Sequence, residues 1–154
     1  MKKQLLVSFI LFAYSVILVT VMVFRHVPLI RIGHLIFNFG GTDANGQANV
    51  IPFKTILPYL LGKSGLIIGG INLIGNIIPL VPIGFLVPFI YQNMTWKKSV
   101  ILSFGCGFVI EGMQVILHTG IFDIDDVILN GFGVIIGYWI FTRIAKKKKL
   151  QASL

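Results

Sequence analysis

The stretch SVILSFGCGFVIEGMQVILHTGIFDIDDVILNGFGVIIG, residues 99–137, decides the fold because it combines two apolar runs with most of the chain's acidic residues. Glu111 and Gln114 interrupt the first run, and the cluster Asp123–Asp126, followed by Asn130, opens the second. Only five acidic residues occur in the chain, and four of them lie here. A carboxylate in a membrane span costs about 2.5–3.5 kcal/mol or more unless it faces a cavity or a partner. Each one therefore marks a candidate functional site.

The composition indicates a membrane protein of one domain, residues 1–154. Hydrophobic residues make up 56% of the chain and charged residues 12%, well below the charged fraction of a soluble domain. The net charge of +8 would suit nucleic acid, but the basic residues stand at the ends of apolar runs, as topology-setting charges do. We therefore predict no nucleic-acid partner. The single cysteine, Cys106, excludes an internal disulfide.

Four apolar runs are long enough to cross a bilayer, which takes about 20 helical residues. They are Leu5–Phe24, about Gly65–Ile90, Ser99–Leu117 and about Val127–Thr142, the last extendable toward Asp123. The sequence thus predicts an all-α, polytopic membrane protein with four transmembrane helices in a bundle.

Basic residues set the predicted orientation. With both termini inside, the inner segments hold nine Lys and Arg residues, and the outer segments hold four, spread over one long loop. This excess favours cytoplasmic N and C termini. The basic segment 143–154 is then a cytoplasmic tail.

The outer loop between the first two helices, Arg25 to Lys63, is not uniformly polar. Gly40–Gly46 is typical of a turn or flexible segment, while Val50–Phe53 and Ile56–Leu61 are apolar. We expect these apolar pieces to lie at the outer membrane interface or to pack on the bundle.

Proline residues fall in the inner half of the second span. Pro79, Pro82 and Pro88 each remove one helix hydrogen bond and free a carbonyl one turn earlier. This pattern predicts a span that is kinked or broken, which membranes tolerate where neighbouring groups satisfy the backbone.

Polar side chains of three spans share one depth in this topology. Asn72 and Asn76 lie roughly 10 to 17 Å from the outer end of the second span, and Glu111 lies about 9 Å from that of the third. Helical spacing stacks Glu111 with Gln114, and it stacks Asp126 with Asn130. We therefore predict a shared polar pocket that opens outward, with Glu111 within direct or one-water hydrogen-bond reach of at least one of Asn72, Asn76, Asp126 and Asn130.

Simpler structural roles compete with a ligand site at several positions. The amides of Asn72, Asn76 and Asn130 would also serve to join helices by hydrogen bonds. Asp123 with Asp126 three residues later resembles a helix-capping pair. The glycine pairs are typical of helix packing, and the same faces are an alternative surface for contacts between copies of the chain; they are Gly65 with Gly69 and Gly133 with Gly137.

The ordered set of motifs from Asn49 to Tyr138 resembles the VanZ-like family. Its elements here are Asn49-x2-Pro52-Phe53, Asn72-x3-Asn76-x5-Pro82-x-Gly84, Glu111-x2-Gln114 and Asp123-x-Asp125-Asp126-x3-Asn130-x2-Gly133-x3-Gly137-Tyr138. Two departures are Leu80, where the family usually has Phe, and Ile121, where a basic residue is common. The resemblance, strongest over residues 49–138, implies a small bacterial inner-membrane protein without an agreed reaction. Its namesake is associated with resistance to teicoplanin, a lipid-tailed glycopeptide antibiotic.

The resemblance also selects site residues. The family's shared polar residues correspond to the positions that depth and spacing select, namely Asn72, Asn76, Glu111, Gln114, Asp125, Asp126 and Asn130.

Three functions fit this pattern. The first is a non-enzymatic binder of a membrane lipid or of a lipidated or lipid-linked envelope molecule at the outer leaflet. The second is an intramembrane enzyme acting on a lipid head group, with Glu111 as general acid or base and Asp125 or Asp126 as its partner. The third is a small assembly subunit of an envelope complex. A divalent cation on these three carboxylates is a variant of the second, but their spacing matches no known loop, and we predict neither a metal nor a cofactor.

Overall fold

The computed structural model describes residues 2–24, 31–32, 35–36, 48–63 and 65–151. The predicted Gly40–Gly46 turn lies outside them. The elements are α1 (Lys2–Phe24), β1 (Arg31–Ile32), β2 (Leu35–Ile36), α2 (Ile56–Leu60), α3 (Leu66–Ile77), α4 (Val81–Ile90), α5 (Trp96–Ile116) and α6 (Ile124–Gln151). The two short strands pair with each other in antiparallel fashion.

The four predicted membrane spans are confirmed. The helices that are long and apolar enough to cross a bilayer cover Lys2–Phe24, Leu66–Ile90, Trp96–Ile116 and Ile124–Lys146. The fourth begins and ends outside the predicted Val127–Thr142, and its helix runs on to Gln151. Its basic end contains no Gly or Pro, and Lys and Arg are good helix formers, so nothing in the sequence stops the helix at the membrane surface. The basic segment 143–154 is thus helical in its first part.

The second span is broken where the prolines predict it. α3 ends at Ile77, a single 3-10 turn covers Ile78–Leu80, and α4 then begins at Val81. The hydroxyl of Tyr14 on α1 donates a hydrogen bond to the carbonyl of Pro79 at 2.7 Å. A carbonyl at the break therefore finds its partner on a neighbouring helix, as a polar backbone group inside a membrane must.

A glycine seam, formed by Gly84 of α4 with Gly133 and Gly137 of α6, brings the two halves of the second span against α6. A Cβ atom on any of the three would lie 1.9–2.1 Å from a backbone carbonyl oxygen of the facing element. No side chain fits there, so backbone packs directly on backbone, as small residues allow in membrane bundles.

The other predicted glycine pair has a different environment. A Cβ on Gly69 would lie 2.8 Å from the carbonyl oxygen of Tyr59, so α3 packs closely on α2 at this point. Gly65 precedes α3 with φ of +85°, and no other atom lies within 4 Å of its Cβ position. Gly65 therefore supplies a left-handed backbone turn before the helix instead of a packing surface.

α5 is buried on its polar side and exposed on its apolar side. Its exposed residues include Ile101, Phe104, Phe108 and Ile116, which suit contact with lipid. Its buried residues are Ser99, Ser103, Gly107, Ile110, Glu111 and Gln114. This inverted pattern is expected where the surrounding solvent is hydrocarbon and polar groups must find partners inside the bundle.

Candidate functional site

Polar side chains gather where the start of α6 meets the end of α5, the start of the described 48–63 segment and the middle of α3. We call this group the outer polar cluster. Its members are Asn49, Asn76, Glu111, Asp123, Asp125 and Asp126. It holds four of the five acidic residues of the chain.

Asp123 begins α6 as its cap, and Glu111 supports it from α5. The Asp123 carboxylate accepts a hydrogen bond from the backbone N–H of Asp125 at 2.8 Å. The backbone N–H of Asp123 donates to Oε2 of Glu111 at 3.1 Å. Helix starts leave backbone N–H groups without partners, so a fully buried Glu111 satisfies one of them and joins α5 to α6. The structure thus gives Glu111 a backbone partner, while its expected contact with Asn72, Asn76, Asp126 or Asn130 stays a prediction.

The ionisation of Asp123 is shifted by this environment. Burial raises the pKa of its carboxyl above the ordinary value, while hydrogen bonds from the Asp125 backbone and the Asn49 amide oppose the rise. Asp123 lies just before the first residue of the fourth span. We therefore expect the charge of the Asp123 carboxyl to change with pH.

Asn49 binds the loop before α6 through both backbone and side chain. Its N–H donates to the carbonyl of Phe122 at 2.8 Å, and its carbonyl accepts from the N–H of Ile124 at 2.9 Å. Its side-chain amide donates to Asp123 at 2.8 Å, and its side-chain oxygen accepts from the N–H of Ile51. The loop between α1 and α2 is therefore attached to the start of α6 like a short parallel strand.

Asp125 fixes the next part of the same loop. Its carboxylate accepts hydrogen bonds from the backbone N–H groups of Phe53, Thr55 and Ile56 and from the hydroxyl of Thr55, at 2.5 to 3.1 Å. The carboxylate is fully buried, and it caps the start of α2 across the fold. Phe53 adopts φ of +66°, a conformation that residues other than glycine rarely adopt unless the surroundings impose it.

The segment that Asp125 holds presents an apolar surface. Within residues 50–61, here called the apolar outer segment, Ile56 is buried, but six large apolar residues are each more than half exposed. These six are Val50, Ile51, Phe53, Leu57, Leu60 and Leu61. An exposed apolar patch beside a polar cluster is typical of a surface that contacts a membrane or an apolar ligand.

The two asparagines of α3 have different partners. Asn76 is buried, and its amide donates to the carboxylate of Asp126 at 2.5 Å, which joins α3 to α6. Asn72 donates to the carbonyl of Ile68 in its own helix at 3.0 Å. The structure thus brings Asn76 into the cluster and gives Asn72 a local hydrogen bond.

Gln114 and Asn130 lie near the cluster, on α5 and α6, and both are fully buried. Nε2 of Gln114 donates to the carbonyl of Met22 at 2.9 Å, close to the end of α1, where helix carbonyls lack partners. Oε1 of Gln114 and both polar atoms of the Asn130 amide have no hydrogen-bond partner among the described residues. Such atoms are rare, and they mark places where water or a ligand can add a hydrogen bond.

Two residues that contact the carboxylates of the cluster were not assigned to the site from the sequence. Asn49 entered only as part of a family element, and Thr55 was not considered. A signal for Asn49 is present, because an asparagine that precedes an apolar Val-Ile-Pro-Phe run often turns the backbone through its side chain. The position of Thr55 carries no such signal, because its partner Asp125 is 70 residues away.

The cluster does not have the form of a metal centre. Within the part of the chain that the structure describes, no group of three or more His, Cys, Asp or Glu side chains is placed to hold a metal ion. The carboxylates are instead engaged with backbone and amide groups. The divalent-cation variant of the enzyme hypothesis is therefore not carried further.

Comparison with known proteins agrees with this architecture. The family model of VanZ/LLP1 matches residues 7–146, which include all six residues of the outer polar cluster and nearly all of the four spans. Comparisons with curated proteins and with solved structures give no match. Because the family match covers nearly the whole chain, this multi-pass membrane protein belongs to the VanZ/LLP1 family.

Proposed function

We propose that the chain binds a lipidated or lipid-linked cell-envelope molecule at the outer leaflet of a bacterial inner membrane and thereby gives resistance to teicoplanin-type glycopeptides. The observation that carries this proposal is the attachment of the apolar outer segment to the acidic start of α6 through Asp125. Charge and apolar surface are thereby held side by side, which is the arrangement that an amphiphilic ligand needs.

The charge of the cluster selects the polar part of the ligand. Four carboxylates lie at the meeting point of α5 and α6, no Lys or Arg occurs from Ser99 to Thr142, and Lys54 is the single basic residue of the attached segment 50–61, so negative charge is in excess. Such a site favours head groups that carry amino groups or several hydrogen-bond donors. The exposed side chains of the apolar outer segment favour a hydrocarbon part next to that head group.

The proposed orientation places the cluster outside. Basic residues are in excess at the end of the bundle opposite the cluster. At that opposite end, aromatic and basic side chains also pair, as they do at membrane interfaces. Nζ of Lys98 lies 4.7 Å from the ring centre of Tyr91, and Arg143 stacks on Trp139 at 5.0 Å. Reporter fusions after Lys98 and Leu154 should report a cytoplasmic location, and a fusion near Gly46 an external one. An external C terminus would contradict this orientation.

The two alternative functions receive less support from the contacts. A general acid or base must reach its substrate, but the side chain of Glu111 is fully buried, and both oxygens of its candidate partner Asp125 already accept hydrogen bonds. An assembly subunit would offer its glycine faces to a partner. Gly133 and Gly137 instead face backbone of the same chain.

Susceptibility to two antibiotics tests the proposal in cells that express the chain. Glu111→Gln and Asp126→Asn keep size and hydrogen-bonding capacity and remove charge. We expect each to lower protection against teicoplanin without lowering the amount of protein in the membrane. Asp43→Asn is the matched control, because it makes the same change at the one acidic residue that the cluster, as defined above, does not include.

Vancomycin, which lacks the lipid tail, separates the possible outcomes. The proposal predicts that the wild-type chain protects more strongly against teicoplanin than against vancomycin. Equal protection against both drugs would contradict recognition of the lipid part. Full protection in both charge variants would contradict a ligand-binding role for the cluster and would support a purely structural one.

A further inference from the structure

A crevice of about 410 Å³ lies between α1, α4 and α5, well inside the spans. We call it the lateral crevice. Its walls are almost wholly apolar and include Leu11 and Leu18 of α1, Ile83 of α4, and Gly105 and Ile110 of α5. Along α5 it extends from Leu102 to Ile110, about 12 Å at the rise of an α-helix. It is therefore long, narrow and apolar.

The outer end of the lateral crevice adjoins the buried polar groups. Gln114 stands one helical turn beyond Ile110, and Met22 stands one turn beyond Leu18, on the same faces of α5 and α1. Gln114 also joins these helices, because its Nε2 donates to the carbonyl of Met22. A carbonyl accepts only from N–H or O–H, so this contact fixes which way the amide points. Oε1 is then left as an acceptor without a partner among the described residues.

We propose that the lateral crevice binds the linear hydrocarbon tail of the lipidated molecule, and that Oε1 of Gln114 accepts a hydrogen bond from an amide N–H or hydroxyl at the head of that tail. This inference rests on the proposed function and names the part of the ligand that enters the membrane. The polar remainder of the ligand then lies toward the outer polar cluster, because its member Glu111 is three residues from Gln114 on the same face of α5.

The size of the lateral crevice favours a chain over a helix. A helix with a diameter of 10–12 Å occupies about 500 Å³ for each turn, so the 12 Å length of the crevice would need more than twice the space available. A hydrocarbon tail is thinner and matches an apolar lining inside a bilayer. A helix from a second copy of this chain is therefore the less suitable occupant, and it becomes an outcome of the test.

Photolabelling tests the proposal with the full chain in phosphatidylcholine nanodiscs. The probe is N-methylpalmitamide, an uncharged amide, with a diazirine in its chain, and labelled peptides are identified by mass spectrometry. We expect labelling of the α1 and α5 segments that line the lateral crevice. Gly105→Leu should fill the crevice without a backbone clash, because no other atom lies within 4 Å of its Cβ position. Its labelling should fall about tenfold, or about 1.4 kcal/mol, because the leucine side chain takes the place of the tail and removes its packing contacts.

A matched variant and a matched probe isolate the two parts of the proposal. Gly75 is exposed on α3 and equally free of neighbours, so Gly75→Leu should label like the wild type. Palmitic acid methyl ester with the same diazirine has no N–H and should label the wild-type chain less than the amide probe. Gln114→Met should remove this difference between probes. If Gly105→Leu fails to reach the membrane, Cys106→Leu provides a second filling of the same crevice.

The other outcomes contradict either the crevice proposal or the proposed function. Equal labelling of the wild type and the Gly105→Leu variant would show that the probe reports lipid-exposed surfaces in general. Cross-linking of Cys106, the only cysteine, between two copies would show that the crevice is covered by a second chain. If Glu111→Gln abolishes protection against teicoplanin but both crevice variants retain it, the crevice proposal fails and the proposed function stands. If none of these variants loses protection, the proposed function fails, while labelling still decides whether the crevice binds a tail.

Discussion

The glycine seam and the outer polar cluster hold α6 to the rest of the bundle by opposite means. At the seam, Gly84, Gly133 and Gly137 let backbones touch, and the contact depends on the absence of side chains. At the cluster, Asp123, Asp125 and Asp126 hold neighbouring elements through hydrogen bonds to polar side chains and backbone. Both solve the same problem, because helices in a bilayer gain little from apolar burial and must associate by close packing or polar contacts.

The difference between the two regions indicates where function lies. Packing on glycine leaves no group that a ligand can use, so the seam serves as scaffold. The outer polar cluster keeps several carboxylates at one place although each is costly in a membrane. Small apolar residues alone would join the helices at a lower cost in free energy. We therefore expect chemical recognition at the outer polar cluster.

The largest effect is expected at the glycine seam. Gly84→Ala would place a Cβ atom 1.9 Å from the carbonyl oxygen of Val134, and rigid backbone on both sides cannot yield. We expect a loss of about 3 kcal/mol or more in the free energy of unfolding. Unfolding in mixed micelles titrated with dodecyl sulfate measures it.

Gly75→Ala is the control for the seam. No neighbouring atom lies within 4 Å of its Cβ position, so this change should be neutral or stabilise the chain by up to about 1 kcal/mol. Equal effects of the two substitutions would show that the seam is not a close backbone contact.

A smaller but local effect is expected at Asp125. Asp125→Ala leaves the backbone N–H groups of Phe53, Thr55 and Ile56 without their acceptor, at a cost of about 2–3 kcal/mol. The apolar outer segment should then detach before the bundle unfolds. Trypsin should cut faster after Lys54 in intact membranes or nanodiscs.

The matched control for Asp125 is Asn72→Ala, which removes a polar side chain whose hydrogen bond stays within α3. Trypsin sensitivity should not change in this variant. If Asp125→Ala were cut no faster than the wild type, the attachment of the segment to α6 would rest on other contacts.

The smallest effect concerns pH. Burial raises the pKa of Asp123, so between its ordinary and raised pKa values the folded chain binds more protons than the unfolded chain. The free energy of unfolding should therefore fall as the pH rises through this window and stay constant above it. Asp123→Asn keeps a side-chain oxygen for the N–H of Asp125 and has no carboxyl to titrate. In this variant, the part of the fall in unfolding free energy that Asp123 causes should disappear. An unchanged pH profile in this variant would assign the fall to other groups.

The spans and the burial of the polar groups could be predicted from the sequence, because hydropathy and helical spacing are local properties. Glu111 and Gln114 are fully buried, as expected of polar residues in a membrane helix. Their partners could not be predicted in this way. Gln114 bonds to Met22, 92 residues earlier, and such a pairing depends on how the helices pack. The break of the second span could be predicted only in part. Proline residues mark the break locally, but the packing of the broken span on the glycines of α6 is a tertiary contact.

The role of Asp125 shows the same limit. From sequence it was a candidate acid or ligand residue, because carboxylates near a membrane surface suggest chemistry. Its partners come from residues 53–56, and no local pattern links them to the start of α6. Within the outer polar cluster, the carboxylate of Asp125 therefore holds a loop. Glu111 and Asp126 remain the residues on which the proposed recognition depends.

Direct binding of teicoplanin to the purified chain in nanodiscs tests the central claim that the outer polar cluster recognises a lipidated molecule. Titration of labelled teicoplanin should give tighter binding than labelled vancomycin for the wild-type chain. Glu111→Gln and Asp126→Asn should each weaken teicoplanin binding about tenfold, the loss expected when one charge-assisted contact is removed, and Asp43→Asn should not. Equal affinities of the wild type and both cluster variants for teicoplanin would contradict the claim.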